Sequence, residues 1–269
     1  FQEMTVSKLN KKDKILWESY DQNNNKWFSV ELNLPDLKIQ GEETKEKIFL
    51  KKILGFIAKK NPKKFKNNSG INIETRMDFN RNWGLGSSAI LINNLSNYFG
   101  LDPFEVSKNV TNSSGADIAS TKISKPIIFS VIDEKPYYKE VNFNPPFLKN
   151  LLFVFLNKKQ SSEKEVEKFK KIRVEDDEIR AISEITNKVL NCKKIDDFND
   201  LIEKHETIIS RKIKKETVKN LLFKDFRGSI KSLGAWGGDF VLACSENNSK
   251  NYFKRKGFET SFSFDEILK

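Results

Sequence analysis

The sequence is short of the residues that build disulfide scaffolds, histidine metal sites and membrane spans. Its two cysteines, Cys192 and Cys244, lie far apart without a Cys-x-x-Cys pair, which excludes a disulfide scaffold and is typical of reduced thiols in a cytoplasmic protein. The single histidine, His205, excludes a multi-histidine metal site, and its apolar-periodic surroundings indicate a structural rather than a catalytic role. No apolar run approaches the roughly 20 residues that a membrane-spanning helix requires.

Basic residues outnumber acidic ones without forming the concentrated patch that a nucleic-acid interface requires. The 269 residues include 48 Lys and Arg against 37 Asp and Glu, a net charge of +11, but acids are interspersed among the lysines. The densest basic run, 59–66, is typical of a solvated helix end, and a nucleic-acid patch is the alternative. We therefore expect no nucleic-acid partner, no membrane partner and a cytoplasmic localisation.

Length and patterning predict an α+β protein of two domains. The chain can form two modest cores, and Asn142-Phe-Asn-Pro-Pro146 interrupts regular structure, so we place the boundary between domains 1–145 and 146–269. The first domain is predicted to begin with an antiparallel meander and to continue with a helix and a half-exposed strand. These elements are strands at 3–9, 14–20 and 26–34, a helix at 44–58 and a strand at 71–77.

Cap residues and apolar spacing predict the remaining elements. Gly100 ends a helix that starts at 84–88, and Asp102, Pro103 and Glu105 begin the next helix with a cap, a first-turn proline and a carboxylate that can reach back. A later helix has a predicted buried stripe at Ile179, Ile182, Ile185 and Val189. The other predicted elements are strands at 127–132, 151–156, 229–232, 240–244 and 260–264, and helices at 163–171, 176–190 and 195–213.

Two glycines followed by two serines form the first segment with chemical content, Asn82-Trp-Gly-Leu-Gly-Ser-Ser-Ala-Ile90. The glycines allow a close bend, and the following helix would direct free N–H groups and its positive dipole end at the loop, as in a phosphate cradle. A glycine turn with a serine N-cap is the alternative. The dinucleotide fingerprint G-x-G-x-x-A also fits 84–89, but the preceding strand alternates and no acid ends a second strand about 20 residues on. No lysine follows the glycines, so the segment is not a Walker loop.

Two further segments combine small residues with an acid or with glycines. Asn112-Ser-Ser-Gly-Ala-Asp-Ile-Ala119 places a lone acid, Asp117, where it could approach a substrate hydroxyl or merely cap a helix. Lys231-Ser-Leu-Gly-Ala-Trp-Gly-Gly-Asp-Phe240 has three glycines within five positions before an apolar strand, which predicts a tight loop with close backbone approach. A glycine-rich hairpin with Trp236 packed on the core is the alternative.

The order of these three segments resembles that in the GHMP kinases, the superfamily of galactokinase, homoserine kinase, mevalonate kinase and phosphomevalonate kinase. Gly84-Leu-Gly-Ser-Ser-Ala89 matches the central phosphate loop of the family. Ser114-Gly-Ala-Asp-Ile-Ala119 resembles the segment that carries the catalytic aspartate in mevalonate-type members, and Gly234-Ala-Trp-Gly-Gly238 resembles the third motif. Lys158-Lys-Gln-Ser-Ser162 resembles a loop of isoprenoid-pathway members.

The similarity is greatest to the bacterial branch named for its Gly-Tyr-Asp-Ile-Ala string. Ala116 stands in the place of the tyrosine, and Trp236 replaces a glycine of the third motif, as in that branch. The resemblance runs from about Ile71 to the C-terminus. Asp117 argues against homoserine kinase, whose motif lacks that acid, and makes the decarboxylase branch less favoured.

The resemblance implies a ribosomal-S5-domain-2-like first domain and a ferredoxin-like second domain with the active site between them. It also implies an ATP-dependent kinase of isoprenoid biosynthesis that uses Mg²⁺ and acts on mevalonate or phosphomevalonate. Asp117 would accept the proton of the substrate hydroxyl or orient that hydroxyl, and Ser88 would bind Mg²⁺. The resemblance assigns the ATP phosphates to Gly84, Leu85, Gly86, Ser87, Ser88 and Ala89. It assigns closure against phosphate or substrate to Gly234, Gly237 and Gly238.

The first motif of the family, an N-terminal strand with Gly-Lys and then Gly-Glu, is not in this sequence. That motif normally supplies a lysine near the reacting hydroxyl and a magnesium-binding acid. The chain opens with Phe1 rather than Met and shows no signal-peptide pattern, so we expect the motif in residues before Phe1. The alternative is a catalytically inactive relative that binds a nucleotide or metabolite.

Both leading substrates are anions, so basic side chains should face them. Arg76, Arg81 and Lys122 are the candidates, because they lie near the glycine and aspartate segments in the sequence. The expected partner is therefore a small anionic hydroxy acid or a phosphorylated substrate. Association into a homodimer stays open.

Overall fold

The computed structural model describes residues 1–66 and 70–267, apart from the side chain of Lys66, so the last lysine of the run 59–66 lies outside the described side chains. The chain forms two compact units, Phe1–Glu140 and Val141–Lys269. The sequence-based boundary stands slightly later, after residue 145. Within the described ranges, no helix is both long and apolar enough to cross a membrane.

A five-stranded sheet organises the first unit. Its strands are β1 (Gln2–Leu9), β2 (Lys14–Tyr20), β3 (Lys26–Asn33), β4 (Lys38–Ile39) and β5 (Gly70–Met77). Their spatial order is β1-β5-β2-β3-β4. β5 runs antiparallel to β1 and parallel to β2. The predicted meander is therefore right for the β2–β3 pair and wrong for β1 and β2, which β5 separates.

Gly70 shows why β5 can enter between two strands that are consecutive in the sequence. A Cβ at this position would lie only 1.9 Å from the Lys11 carbonyl oxygen, so only glycine lets β5 start beneath the turn that joins β1 to β2. Further along β5, Ile73, Thr75 and Met77 are buried on one face, which confirms the predicted half-exposed strand. The Thr75 hydroxyl donates to Ser19 Oγ on β2 at 2.8 Å.

Five helices complete the core of the first unit. They are α1 (Lys45–Lys60), α2 (Lys63–Lys66), α3 (Ser87–Phe99), α4 (Pro103–Val110) and α5 (Ala116–Lys122). α1 buries apolar residues at a spacing of three and four, and these pack with α3 and the sheet. The residues at the centre of this core are Ile15, Trp17, Leu32, Ile53, Leu54, Ile57, Ile73, Ile92 and Leu95.

The predicted helix caps between α3 and α4 are confirmed, with one exception. Gly100 ends α3 in the left-handed conformation, and Asp102 Oδ1 accepts the Phe104 N–H at 3.3 Å while Pro103 occupies the first turn of α4. Glu105 does not reach back to the cap. It forms an ion pair with Lys60, in the exposed last turn of α1, because the two side chains lie beside each other.

A separate hairpin ends the first unit. It consists of β6 (Ile127–Ile132) and β7 (Lys135–Glu140). The two residues between the strands, Asp133 and Glu134, both have positive φ, which is the conformation of a two-residue type I′ turn.

The second unit contains a four-stranded antiparallel sheet with α-helices around it. Its strands are β8 (Leu151–Phe155), β9 (Ser229–Ser232), β10 (Phe240–Cys244) and β11 (Ser261–Ser263), in the order β11-β8-β10-β9. The helices are α6 (Ser162–Phe169), α7 (Asp176–Leu190), α8 (Ile195–Ile213), α9 (Val218–Leu222), α10 (Lys250–Arg255) and α11 (Phe264–Ile267).

Two apolar clusters stabilise the second unit. One centres on Phe223 and Phe253 and includes Val154 and Val241 of the sheet. The other contains Phe198 and Ile202 of α8 together with both cysteines, which are buried and free. The predicted stripe of α7 is only partly correct. Ile185 is buried, but Ile179 is 54% exposed because it lies near the start of the helix at the protein surface.

Candidate functional site

The segment between β5 and α3 is a short turn with two glycines in the left-handed conformation. Residues Arg81–Trp83 form a 3-10 helix, and its start is capped because Asn80 Oδ1 accepts the Asn82 N–H at 2.9 Å. Gly84 then has a φ of 67° and Gly86 a φ of 74°, a backbone region that favours glycine. We call residues 84–88 the first glycine loop.

The start of α3 carries backbone donors that no group in residues 1–66 and 70–267 uses. Gly86 is the N-cap residue and has no side chain to cap the helix. The N–H groups of Ser87 and Ser88 have no hydrogen-bond partner within the described residues, whereas Ala89 and Ile90 both donate to the Gly86 carbonyl. Two free donors therefore meet the positive end of the helix dipole in an exposed loop, and this combination suits a phosphate or another anion.

The side chains of the first glycine loop leave the space beside these donors open. A serine N-cap, the alternative that the sequence allowed, is wrong because both serines lie within the first turn of α3. A Cβ at Gly86 would meet no atom within 4 Å, so the space beside the loop is free. Ser88 is exposed, whereas the side chain of Ala89 is buried in the core and its N–H is already bonded.

Asp117 lies in the first turn of α5, and its Oδ1 is the carboxylate oxygen for which the described part of the chain provides donors. Oδ1 accepts the Ser113 hydroxyl at 2.6 Å and the Ile118 N–H at 2.9 Å. Among the residues that the structure describes, Oδ2 has no partner, and the side chain is exposed. The carboxylate is thus held through Oδ1, and Oδ2 can accept a hydrogen bond or a proton from a ligand.

Packing and backbone conformation hold α5 in place. Ile118 and Ala119 are fully buried, and α5 contacts α3 within the first unit. Gly115, not Asp117, is the N-cap residue of α5. Its φ is +92°, and a Cβ there would lie 3.1 Å from Phe104 Cδ1, so this position requires glycine.

The glycines before β10 form a second tight loop, which we call the second glycine loop (234–238). Gly234 and Gly237 have φ values of 61° and 88°. A Cβ at Gly238 would lie 2.7 Å from Gln160 Cβ, so the loop packs directly on the segment after β8. The Gln160 side chain also donates to the Trp236 carbonyl at 3.4 Å. The structure therefore brings together two segments of the second unit, 158–162 and 234–238, that are distant in sequence.

Asp239 is a residue of this loop region that sequence reasoning missed. Its side chain is buried, and its backbone adopts the left-handed conformation with a φ of 52°. Its N–H donates to the Lys158 carbonyl at 2.7 Å, and its Oδ1 accepts the Gln160 N–H at 3.2 Å. Burial raises the pKa of the Asp239 carboxyl above its ordinary value. The only sequence signal was an acid directly after two glycines, at a position where Asp tolerates positive φ.

The three basic residues proposed to face a substrate have protein partners in the first unit. Arg76 donates to Asn24 Oδ1 at 3.1 Å, pairs with Glu74 and lies 4.2 Å from the Tyr20 ring centroid. The Arg81 guanidinium lies 4.4 Å from the ring of Trp27, and the Lys122 ammonium 5.3 Å from the ring of Phe104. Arg76 therefore contributes to the exposed face of the sheet.

His205 belongs to a polar cluster of the second unit, formed with Glu206, Lys231 and Ser232. Glu206 Oε2 accepts the Ser232 N–H at 3.0 Å, and Lys231 Nζ lies 3.6 Å from Oε1 and 3.4 Å from His205 Nδ1. Glu206 is 3% exposed, and burial lowers the pKa of Lys231. The cluster lies at the end of β9, next to the second glycine loop. In the described ranges, no group of three or more His, Cys, Asp or Glu residues could hold a metal ion.

Comparison with known proteins gives matches in structure only. No family model matches the sequence, and no curated protein matches it. Mevalonate kinase of Methanococcus jannaschii is similar in fold, with a TM-score of 0.66 and 20% sequence identity over 97% of this chain and 87% of that one. Streptococcus pneumoniae phosphomevalonate kinase, in complex with phosphomevalonate and AMPPNP, has a TM-score of 0.70 at 14% identity, with 97% and 89% covered.

A third solved structure of similar fold is a sugar kinase. Lactococcus lactis galactokinase, complexed with galactose, has a TM-score of 0.61 at 12% identity over 95% of this chain and 80% of that one. All three are GHMP kinases, and this chain is similar to them in its mixed α and β fold. Identities this low show the fold alone.

Proposed function

We propose that this protein is an ATP-dependent small-molecule kinase that transfers the γ-phosphoryl group of Mg-ATP to the hydroxyl of mevalonate or to the phosphate of phosphomevalonate. The observation that carries the proposal is the first glycine loop, where the unpaired N–H groups of Ser87 and Ser88 meet an open, glycine-lined space at the start of α3. The GHMP kinase fold and the AMPPNP named for one fold relative support ATP as the phosphoryl donor.

The first glycine loop fits a nucleotide phosphate in shape and in charge. The left-handed conformations of Gly84 and Gly86 bend the backbone, and the absence of a Cβ at Gly86 leaves room for a phosphate oxygen. The helix dipole and the free N–H groups of Ser87 and Ser88 would then neutralise negative charge on the phosphates. Because phosphoryl transfer depends on positioning and charge neutralisation more than on covalent catalysis, this is the contribution a kinase needs.

Ser88 is the residue of this loop that fits a magnesium ion. Its hydroxyl is exposed, and no hydrogen bond to it is found within residues 1–66 and 70–267. Mg²⁺ usually keeps several waters and binds through one or two protein oxygens plus the substrate phosphates, so a single hydroxyl suits an ion that arrives with ATP. When bound, the ion would reduce the negative charge of the transferring phosphoryl group.

Asp117 would act on the acceptor group, which is a hydroxyl in mevalonate and a phosphate oxygen in phosphomevalonate. Within the described residues its Oδ2 is unbonded and its Oδ1 is fixed by two donors, so the carboxylate can accept or orient a proton of that group without first breaking a protein hydrogen bond. In the second unit, Gly234, Gly237 and Gly238 would let the second glycine loop approach phosphate or substrate closely, as the resemblance implies.

Mevalonate and phosphomevalonate are preferred as acceptors because the motifs around Asp117 and at 158–162 resemble those of isoprenoid-pathway members. The fold neighbours also include a galactokinase, so a sugar is the competing acceptor class. A small hydroxy acid or phosphorylated alcohol is consistent with the net charge of +11, which favours association with anions.

The test measures ADP release by the full-length protein with Mg-ATP and a panel of mevalonate, phosphomevalonate, galactose and homoserine. We expect turnover with one of the first two, and we expect Asp117→Asn to lower kcat by roughly 10²–10⁴-fold while ATP affinity is retained. The matched control is Asp176→Asn, which changes an exposed acid in the first turn of α7. Its turnover should equal that of the wild type.

Three other results would contradict the proposal in different ways. Turnover with galactose alone would assign a sugar kinase. Tight ATP binding without turnover on any acceptor would assign a catalytically inactive nucleotide-binding protein. No measurable ATP binding would refute the anion site at the first glycine loop.

A further inference from the structure

The Asp117 carboxylate is held by Ser113, which lies directly before the family-like segment Ser114–Ala119. Ser113 Oγ donates to Asp117 Oδ1 at 2.6 Å, the shorter of the two bonds to that oxygen. The second donor, the Ile118 N–H, lies on the adjacent residue and therefore accompanies Asp117 wherever α5 goes. Ser113 precedes α5 and is the one of the two that ties the carboxylate to a residue outside that helix.

Ser113 is itself fixed by backbone and side-chain contacts on both sides. Its Oγ accepts the Gly115 N–H at 3.0 Å, so the hydroxyl proton is directed away from the helix N-cap and toward Asp117. Its own N–H donates to Thr111 Oγ1 at 3.1 Å. Thr111 Oγ1 in turn donates to the Ser107 carbonyl at 3.0 Å, at the end of α4.

Thr111 and Ser113 therefore link the end of α4 to the carboxylate, Thr111 through its hydroxyl and Ser113 through its N–H and its hydroxyl. Ser107 is buried and Thr111 and Ser113 are half-buried, so this link is sheltered from solvent while Asp117 is exposed. An exposed carboxylate that is bonded only to its own helix could rotate about its side-chain torsions. The bond from Ser113 occupies Oδ1 and removes that freedom, so that Oδ2 is the oxygen presented to a ligand.

We propose that Ser113 is a positioning residue for phosphoryl transfer, because it orients Asp117 so that Oδ2 faces the acceptor oxygen. This inference rests on the proposed kinase function. In the step itself, the acceptor oxygen bonds to the γ-phosphorus while the bond from that phosphorus to the bridging oxygen breaks, and ADP leaves with the electron pair. The acceptor proton moves to Asp117 Oδ2 and is later released to solvent. Ser113 keeps its proton throughout.

The test compares steady-state kinetics of Ser113→Ala, Ser113→Thr and the wild type with Mg-ATP and the acceptor that the panel identifies. We expect Ser113→Ala to lower kcat by roughly 10–100-fold, because a misplaced catalytic group costs rate rather than ground-state affinity. The KM for ATP and for the acceptor should change by less than about threefold. Ser113→Thr keeps the hydroxyl and should restore most of kcat.

Ser120→Ala is the matched control. Ser120 lies within α5, close to Asp117 in the sequence, but its hydroxyl donates to the Ala116 carbonyl at 2.9 Å and not to Asp117. Its kcat should equal that of the wild type. The double variant Ser113→Ala/Asp117→Asn isolates the mechanism: if Ser113 acts through Asp117, removing its hydroxyl causes no further loss in the Asp117→Asn background.

Several outcomes overturn the inference. They are a Ser113→Ala enzyme with kcat within twofold of the wild type, additive losses in the double variant, and a loss that Ser113→Thr does not restore. If Ser113→Ala fails to fold, the comparison of Ser113→Thr with Ser113→Cys replaces it, and the weaker thiol donor should then give the lower kcat. Absence of turnover by the wild type would refute the kinase proposal itself, whereas an active wild type with an unaffected Ser113→Ala would refute this inference alone.

Discussion

Replacing Glu206 by alanine should destabilise the second unit more than any surface charge substitution. Glu206 Oε2 is the acceptor for the buried Ser232 N–H, and Oε1 lies 3.6 Å from Lys231 Nζ. The substitution leaves a buried donor unsatisfied, which costs about 1–3 kcal/mol. It also removes the partner of Lys231, and breaking a buried ion pair costs about 3–5 kcal/mol when both charges are inaccessible.

The two costs overlap, and the lysine is not fully buried. The Lys231 side chain is 27% exposed, so it can turn part of its charge toward water once Glu206 is removed. We therefore expect the free energy of unfolding of the second unit to fall by about 3 kcal/mol, at the lower end of the range for buried pairs. Glu206→Gln keeps an oxygen for the Ser232 N–H and should cost about 1 kcal/mol.

Native-state hydrogen exchange of the amides in β9 and β10 measures this effect without requiring that the two units unfold together. Glu203→Ala is the control: this residue lies on the same helix, α8, and pairs with Lys219 at the surface, so its loss should cost less than about 1 kcal/mol. If Glu206→Ala changed the exchange free energies of β9 no more than Glu203→Ala does, the stabilising role assigned to Glu206 would be refuted.

Two further predictions concern the second glycine loop. Gly238→Ala places a methyl group 2.7 Å from Gln160 Cβ and should lower the free energy of unfolding by about 1–3 kcal/mol in urea titration, whereas an unchanged midpoint would show that the loop can move aside at no cost. For Asp239→Asn the effect should depend on pH. Because burial raises the pKa of Asp239 in the folded state, its ionisation costs stability as the pH rises above the unfolded pKa of about 4. The asparagine variant should therefore gain stability relative to the wild type between about pH 3 and pH 7 in thermal unfolding, and a pH-independent difference would contradict that cause.

The elements that the sequence predicted correctly depend on local signals. Gly100 and Asp102 set the end of α3 and the start of α4, and both caps are found where the residue types indicated. Pairing of strands is not local. β5 lies between β1 and β2 and comes close to Lys11 at Gly70, and no periodicity in either segment reports that contact.

In the candidate site, too, local features could be predicted from the sequence and non-local contacts could not. The first glycine loop could be predicted, since two glycines followed by serines at a helix start indicate both the bend and the free N–H groups. The partners of Asp117 could not be predicted, because the orientation of Ser113 depends on left-handed Gly115 and on the end of α4. Asp239 escaped notice for a similar reason: its burial depends on the segment after β8.

The close contact between Gly238 and Gln160 also bears on how this protein could be redesigned. There is no room for a methyl group between the second glycine loop and residues 158–160, and Asp239 is hydrogen-bonded to both Lys158 and Gln160. The conformation of each segment therefore depends on the other. A transplant of the second glycine loop into another protein of similar fold would therefore need to include residues 158–160 as well. Libraries that vary only one of the two should consist mostly of misfolded members.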